Sequence, residues 1–278
     1  MLKRIFTATL ITFFIFFSLA LATTPFTSKP NLGAQINWSH PLSKGLVACF
    51  LMNEGGGKLS TNLTNYSNGN LSNGAYYTVA KQNTVISFDG DNDIVINNKN
   101  TFYKQSPYSF FVIHYPLSSG GNTAGRILDN GAYHFYFSFS DTLLIFQVTT
   151  SGSPNSVYSD ANCITLNKWN YHTVTWDGGI LKTGIKIYSK AILQSVSNSQ
   201  DGNGTISYAL SNFNIGNVAA INRGYNGYIS LLLGYNRVLS PSEIRSLYEE
   251  PYQFIEYEPW TMWGAIVATV RRRIRMID

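Results

Sequence analysis

The chain has 278 residues, of which 44% are hydrophobic, 14% aromatic and only 13% charged, with a net charge of +5. This is enough apolar material for one large β domain or two small ones, and its polar surface is mostly neutral Asn, Ser, Thr and Gly. The positive excess sits at the ends, with Lys3 and Arg4 at the start and Arg271, Arg272, Arg273 and Arg275 at the finish, so the middle offers no basic groove and argues against nucleic-acid binding.

The chain opens on "MLKRIFTATLITFFIFFSLALA", a basic start, an apolar run over 5–21, and Ala20-x-Ala22 before a polar stretch. That pattern predicts a signal peptide over 1–22 and an exported protein, secreted or at the cell surface; an uncleaved signal anchor is the alternative. Residues 23–40 are rich in Thr, Pro, Ser and Asn and read as a linker, with the folded domain expected over 41–256. Within it, short runs such as "LVACFLM", "TVISF", "YSFFVIHY", "TLLIFQVTT" and "WNYHTVTW" recur between Gly/Asn/Asp clusters. Short, regularly spaced strands without a long helical period predict an all-β sandwich or barrel.

"ISFDGDNDIVI" (86–96) places Asp89, Asp91 and Asp93 at alternate positions. A helix–loop–helix calcium site needs Gly and Glu where Ile94 and Asn100 stand, and helices where these flanks are of strand type. A polar turn between two strands remains, and whether its carboxylates hold calcium is left to the fold around them. In "AYHFYFSF" alternation puts Phe135, Phe137 and Phe139 on one face and His134, Tyr136 and Ser138 on the other. His134 and Tyr136 are thus candidates for stacking on or bonding a sugar, against ordinary exposed side chains. Trp169, His172 and Trp176 read as core. Cys49 and Cys163 are either one long-range disulfide, which an oxidising compartment would permit, or two separate small apolar side chains.

Near the end, "SPSEIRSLYEEP" carries Ser240 as N-cap, Pro241 at the first helical position and Glu243 closing a capping box, so one short helix is expected. Residues 257–278 form a basic tail in which Trp263, Val267, Val270 and Ile274 share a helical stripe, suited to a membrane surface or a partner. No catalytic motif emerges. Glu54, Glu243, Glu249, Glu250, Glu256 and Glu258 do not fit the one-strand carboxylate spacing of jelly-roll glucanases.

Five motifs in order resemble the laminin-G-like jelly rolls. "GLVACFLMNEGGG" (45–57) is similar to their opening strand, "ISFDGDNDIVI" to their F-D-G strand pair, and "LNKWNYHTVTWDGG" (166–179) to their Trp strand. "FNIGN" resembles their short I-G strand and "NGYISLLLGYNRVLSPSEIRSLYEEP" their closing strand and helix. The resemblance implies a concanavalin A-like sandwich of two antiparallel sheets with one C-terminal surface helix. In some such proteins a rim carboxylate at the position of Asp93, with neighbours here at Asp89 and Asp91, binds calcium. Two departures stand out: Phe50 replaces a Trp, and Ser230 and Leu231 replace an acidic pair. The expected function is a non-catalytic binding module for a glycan or cell-surface protein. A structural or adhesion component and a divergent glycosidase are the alternatives.

Overall fold

β8 (Tyr108–Pro116) reads YSFFVIHYP, and every residue in it is buried. A strand lacks polar alternation when both its faces are covered, so this run must lie at the centre of a sheet with protein on either side. In a computed structural model, which describes residues 29–64, 66–97, 107–130, 135–140, 142–160, 162–206 and 212–257, that is its position. The eight-stranded sheet runs β15 (Ile192–Leu193), β14 (Ile185–Ser189), β13 (Asn170–Trp176), β8, β18 (Asn226–Tyr235), β6 (Asn83–Asp89) and β5 (Tyr76–Ala80), with β2 (Leu46–Phe50) added to β18. The signal-peptide stretch 1–22, His134 and the tail 258–278 lie outside the described residues.

The facing sheet has nine strands in the order β16 (Val196–Gln200), β12 (Asn155–Ser159), β11 (Leu143–Val148), β10 (Phe135–Ser140), β9 (Arg126–Asp129), β17 (Phe213–Ile215), β7 (Ile94–Asn97), β4 (Gly69–Ser72) and β3 (Leu59–Ser60). All pairings are antiparallel. Phe137 and Phe139 turn inward as their alternation predicts, and meet Phe110, Phe146 and Trp176 between the sheets. Each such ring contributes roughly 1.5–3 kcal/mol by leaving water. The Trp176 indole N–H, buried with it, donates to the Gly179 carbonyl at 2.7 Å.

A second apolar cluster covers the outer face of the eight-stranded sheet. Phe111, Leu231 and Leu233 point into it, against Ile244 and Leu247 of helix α1 (Pro241–Glu249). The helix begins as its sequence dictates: Ser240 accepts from the Glu243 amide, and the Glu243 carboxylate accepts from the Ser240 amide. Trp169 is half-buried at the margin of this cluster rather than between the sheets, edge-on to Tyr115 at 5.4 Å.

The two-stranded pair β1 (Ala34–Ile36) and β19 (Ile255–Tyr257) corrects the reading of 23–40 as linker throughout. Ala34 and Ile36 are buried, so the stretch from Lys29 onward is a strap packed on the sandwich. Of the two readings of the cysteines, the one of separate small side chains fits the structure. Cys49 and Cys163 are both free and buried. Cys49 points into the outer cluster and Cys163 into the inter-sheet core, so the two thiols lie on opposite faces of a sheet. Because β2 is buried on both faces, its phase could not be read from alternation.

His172 is a buried core residue, in a relay with a single direction. Its Nε2 lies 3.0 Å from the Cys163 carbonyl, which can only accept, so Nδ1 must accept from His114 Nε2 at 2.7 Å. His114 Nδ1 then accepts from the Tyr225 hydroxyl at 2.8 Å. Burial pushes the pKa of His172 down to about 4 and that of His114 well below its usual value; His114 feels His172, and His172 feels Lys190. Both rings are held neutral.

Candidate functional site: a groove under the N-terminal strap

The strap is fastened by one side chain. Lys29 extends its ammonium to the carbonyls of Met52 (3.1 Å), Thr84 (2.6 Å) and Ser230 (2.7 Å), with the Ser230 hydroxyl at 3.3 Å. The Ser230 carbonyl is free to accept because the β18–β8 register slips between Ile229 and Leu231, leaving Ser230 as the extra residue of a bulge. Burial lowers the Lys29 pKa to about 7, against an upward pull from the Glu54 carboxylate. Asn53 adds a second tie, donating to the Pro30 carbonyl at 2.8 Å.

Two adjoining clefts open beside the strap, sharing Asn31, Leu32 and Asn53 as their common wall. One, of about 670 Å³, is also lined by Lys29, Lys81, Gln82, Asn83 and Thr84. The other, of about 490 Å³, is lined by Gln35, Trp38, Glu54, Thr61 and Leu63 among others. Trp38 is 56% exposed, an unusual placement for so large an apolar ring. Glu54 Oε1 accepts from the Thr61 amide at 2.5 Å, while Oε2 is buried without a hydrogen-bond partner. An exposed indole among amides and a carboxylate can stack on the C–H face of a ring and bond its hydroxyls.

The far wall of the groove is a tight turn. Ala80 pairs with Asn83, so Lys81 and Gln82 alone connect β5 to β6. Both have positive φ, 51° and 69°, the mirror-image hairpin turn that Asn and Gly normally occupy. For residues with a Cβ this conformation costs about 1–2 kcal/mol apiece. The Lys81 ammonium stands 5.4 Å from the centre of the Tyr115 ring, which in turn meets Trp169 and Tyr228 at 5.4 and 5.9 Å.

The three aspartates, candidates for either a turn or a calcium site, are engaged in building their own turn. Asp89 Oδ1 accepts from the Asp91 amide at 2.8 Å, and Asp93 Oδ2 accepts from the Asp89 amide at 2.9 Å. Asn217 ties the turn down by donating to the carbonyls of Asp91 and Asp93. Asp93 Oδ1 is buried with no hydrogen-bond partner, and burial lifts the Asp93 pKa to about 6; the Asp89 amide opposes this, while the Asp89 and Asp91 charges add to it. Among the described residues no three His, Cys, Asp or Glu side chains stand together as a metal site. Tyr136 is in register between Gln147 and Asp129. That row had no recognisable signal: Asp129 is ion-paired with Arg126 at 3.4 Å, and the buried Ser138 Oγ and Asn214 Nδ2 have no hydrogen-bond partner.

A family model of the concanavalin A-like lectin/glucanases superfamily, the laminin-G type, matches residues 88–245, more than half of the chain. The chain belongs to this superfamily. No curated protein matches it. Among solved structures, the binding domain of Paraclostridial Mosquitocidal Protein 1 is similar at 15% identity with a TM-score of 0.59, over 75% of this chain and 52% of that one. Domain 4 of AbnA, a GH43 extracellular arabinanase from Geobacillus stearothermophilus solved in complex with arabinotriose, is similar at 15% identity and a TM-score of 0.53, over 78% of this chain and 99% of that one. The binding domain of botulinum neurotoxin serotype D/C follows at 14% identity and a TM-score of 0.53, over 74% and 52%. The chain thus spans about half the length of the mosquitocidal and neurotoxin domains. At these identities the likeness is one of fold.

Proposed function

We propose that this protein is an exported, non-catalytic binding module that recognises a glycan through the groove beneath its N-terminal strap. One observation carries the reading: Trp38 lies exposed at an open cleft whose other polar lining groups, among the described residues, are Asn31, Gln35, Asn53, Glu54, Thr61 and Asn62. Amide groups both donate and accept, which matches hydroxyls of either sense, and the indole supplies the apolar platform. The superfamily membership and the arabinotriose complex of the arabinanase domain agree with a sugar-binding role. Export rests on the signal-peptide pattern of residues 1–22.

A glycan array probed with the full chain and with Trp38→Ala tests the reading. The wild type is expected to give hits that Trp38→Ala loses. Hits unchanged by the substitution would move the site elsewhere, and an empty array would end the glycan reading.

A structural or adhesive role has its own observation. Leu181, Ile192, Leu193 and Val196 are exposed beside β15 and β16, the edge strands of the two sheets. Open edges with apolar side chains favour self-association. Sedimentation of the full chain distinguishes the two: a monomer favours the module, a concentration-dependent oligomer the structural component.

A further inference from the structure

We infer that the groove selects oligosaccharides bearing a negative charge, with a neutral ring on Trp38 and the charged substituent at the Lys81–Gln82 turn. This rests on the glycan reading above and goes further, because the two clefts differ in charge. Among the described residues, the cleft at the turn is lined by Lys29 and Lys81 and by no Asp or Glu. The cleft at Trp38 is lined, among the described residues, by Glu54 and by no Lys or Arg. One groove therefore has a cationic end and an anionic end, and an anionic substituent has one favourable orientation in it.

The two lysines play different parts. The Lys29 ammonium has its hydrogens committed to four oxygens and, with a pKa of about 7, is only partly charged at neutral pH, so it fastens the strap and leaves the ligand's charge to Lys81. Lys81 is exposed at the mouth, with its ammonium near the Tyr115 face and able to turn to a carboxylate or sulfate. Asn31, Gln82 and Asn83 line the same cleft and can donate to the remaining oxygens.

The turn fixes where Lys81 stands. Lys81 and Gln82 alone join β5 to β6 at positive φ, with Asn83 donating to the Lys81 carbonyl at 3.3 Å. Lys190 and Ala191 make the same glycine-free turn away from the groove, so it is the position of Lys81 at the cleft mouth, rather than the strain, that favours an anion there.

The test is a glycan array with matched neutral, carboxylated and sulfated members, followed by calorimetry on the best hit and its charge-free counterpart. Wild type, Lys81→Gln, Lys81→Arg and Trp38→Ala are compared, with melting temperatures to confirm folding. The expected result is that hits concentrate among charged members and that the charged ligand binds about tenfold tighter than its neutral counterpart, as for one charge-assisted hydrogen bond. Lys81→Gln should erase that difference, Lys81→Arg should retain it, and Trp38→Ala should weaken both ligands. The carboxylated and sulfated arms show which anion is preferred. Equal affinities in the wild type, or a charge preference that survives Lys81→Gln, overturn the inference while leaving the glycan reading standing. No binding to any member overturns both.

Discussion

The two ends of β6 are corners of opposite design. At its end, Asp89, Gly90, Asp91 and Asp93 fold onto themselves: two carboxylates accept backbone amides, Asn217 ties the carbonyls down, and Gly90 supplies a φ of 89°. At its start, Lys81 and Gln82 hold the same left-handed region without a glycine and without side-chain caps, and turn toward an open cleft. The first corner is chemically conspicuous and ties up its own backbone, leaving one Asp93 oxygen buried without a partner. The second is inconspicuous and strained. Unspent interaction capacity, rather than conspicuous residue type, marks the surface available to a ligand.

Substitutions sharpen that contrast, starting with the largest effect. Gly90→Val should cost about 3 kcal/mol in urea unfolding, since a side chain there meets positive φ and a Cβ would lie 2.9 Å from Asn226. Ligand binding by the groove should be unaffected; a loss below 1 kcal/mol would show the corner is not rigid.

Acid titration comes next, because Asp93 and the core histidines respond with opposite signs. The histidines stay neutral in the fold, whereas the unfolded chain takes up protons below about 6.5, so each removes stability as pH falls. Asp93 binds its proton at about 6 in the fold but at 3.8 when unfolded, so it returns stability over that window. Two losses against one gain leave the wild type less stable in acid. Asp93→Asn removes the gain, so its stability should fall more steeply than that of the wild type between pH 6 and 4.5. Parallel pH profiles for the two proteins would deny Asp93 its raised pKa.

Lys81→Gly is predicted to raise stability by about 1 kcal/mol, by relieving the left-handed strain, while weakening anionic-glycan binding. That opposite movement of stability and binding is the signature of a strained functional turn. A drop in both would make Lys81 structural. The smallest effect concerns calcium. With the carboxylates engaged in their turn, saturating calcium should leave the melting temperature unchanged, whereas binding at a hundredfold excess would add about 2.7 kcal/mol. A calcium-induced rise that Asp93→Asn abolishes would return these residues to a metal role.

Much of the architecture was legible because its signals are local. The capping box at Ser240 and Glu243 and the alternation through Phe137 and Phe139 depend on neighbours a few residues away. The order of laminin-G-like motifs supplied the rest of the sandwich. The groove was illegible because it is assembled from distant parts. Lys29 meets Ser230 201 positions away, and only the β18 bulge frees that carbonyl. Lys81–Gln82 lacks the Asn-Gly cue that marks such turns. The "linker" composition of residues 23–40 hid a strand whose partner, β19, lies at the other end of the domain. The aspartate triplet left turn and metal both open, because alternate spacing shows which carboxylates are near one another, not which are already bonded to backbone amides.

A sugar stacked on Trp38 would change the surroundings of its indole N–H. The most direct check is the indole N–H region of a proton–nitrogen correlation spectrum during titration with the best array hit. The Trp38 signal, assigned through its loss in Trp38→Ala, should shift progressively to saturation, while the signal of Trp176, buried between the sheets with its N–H bonded to Gly179, stays fixed. An unmoved Trp38 signal at saturating ligand would contradict the account.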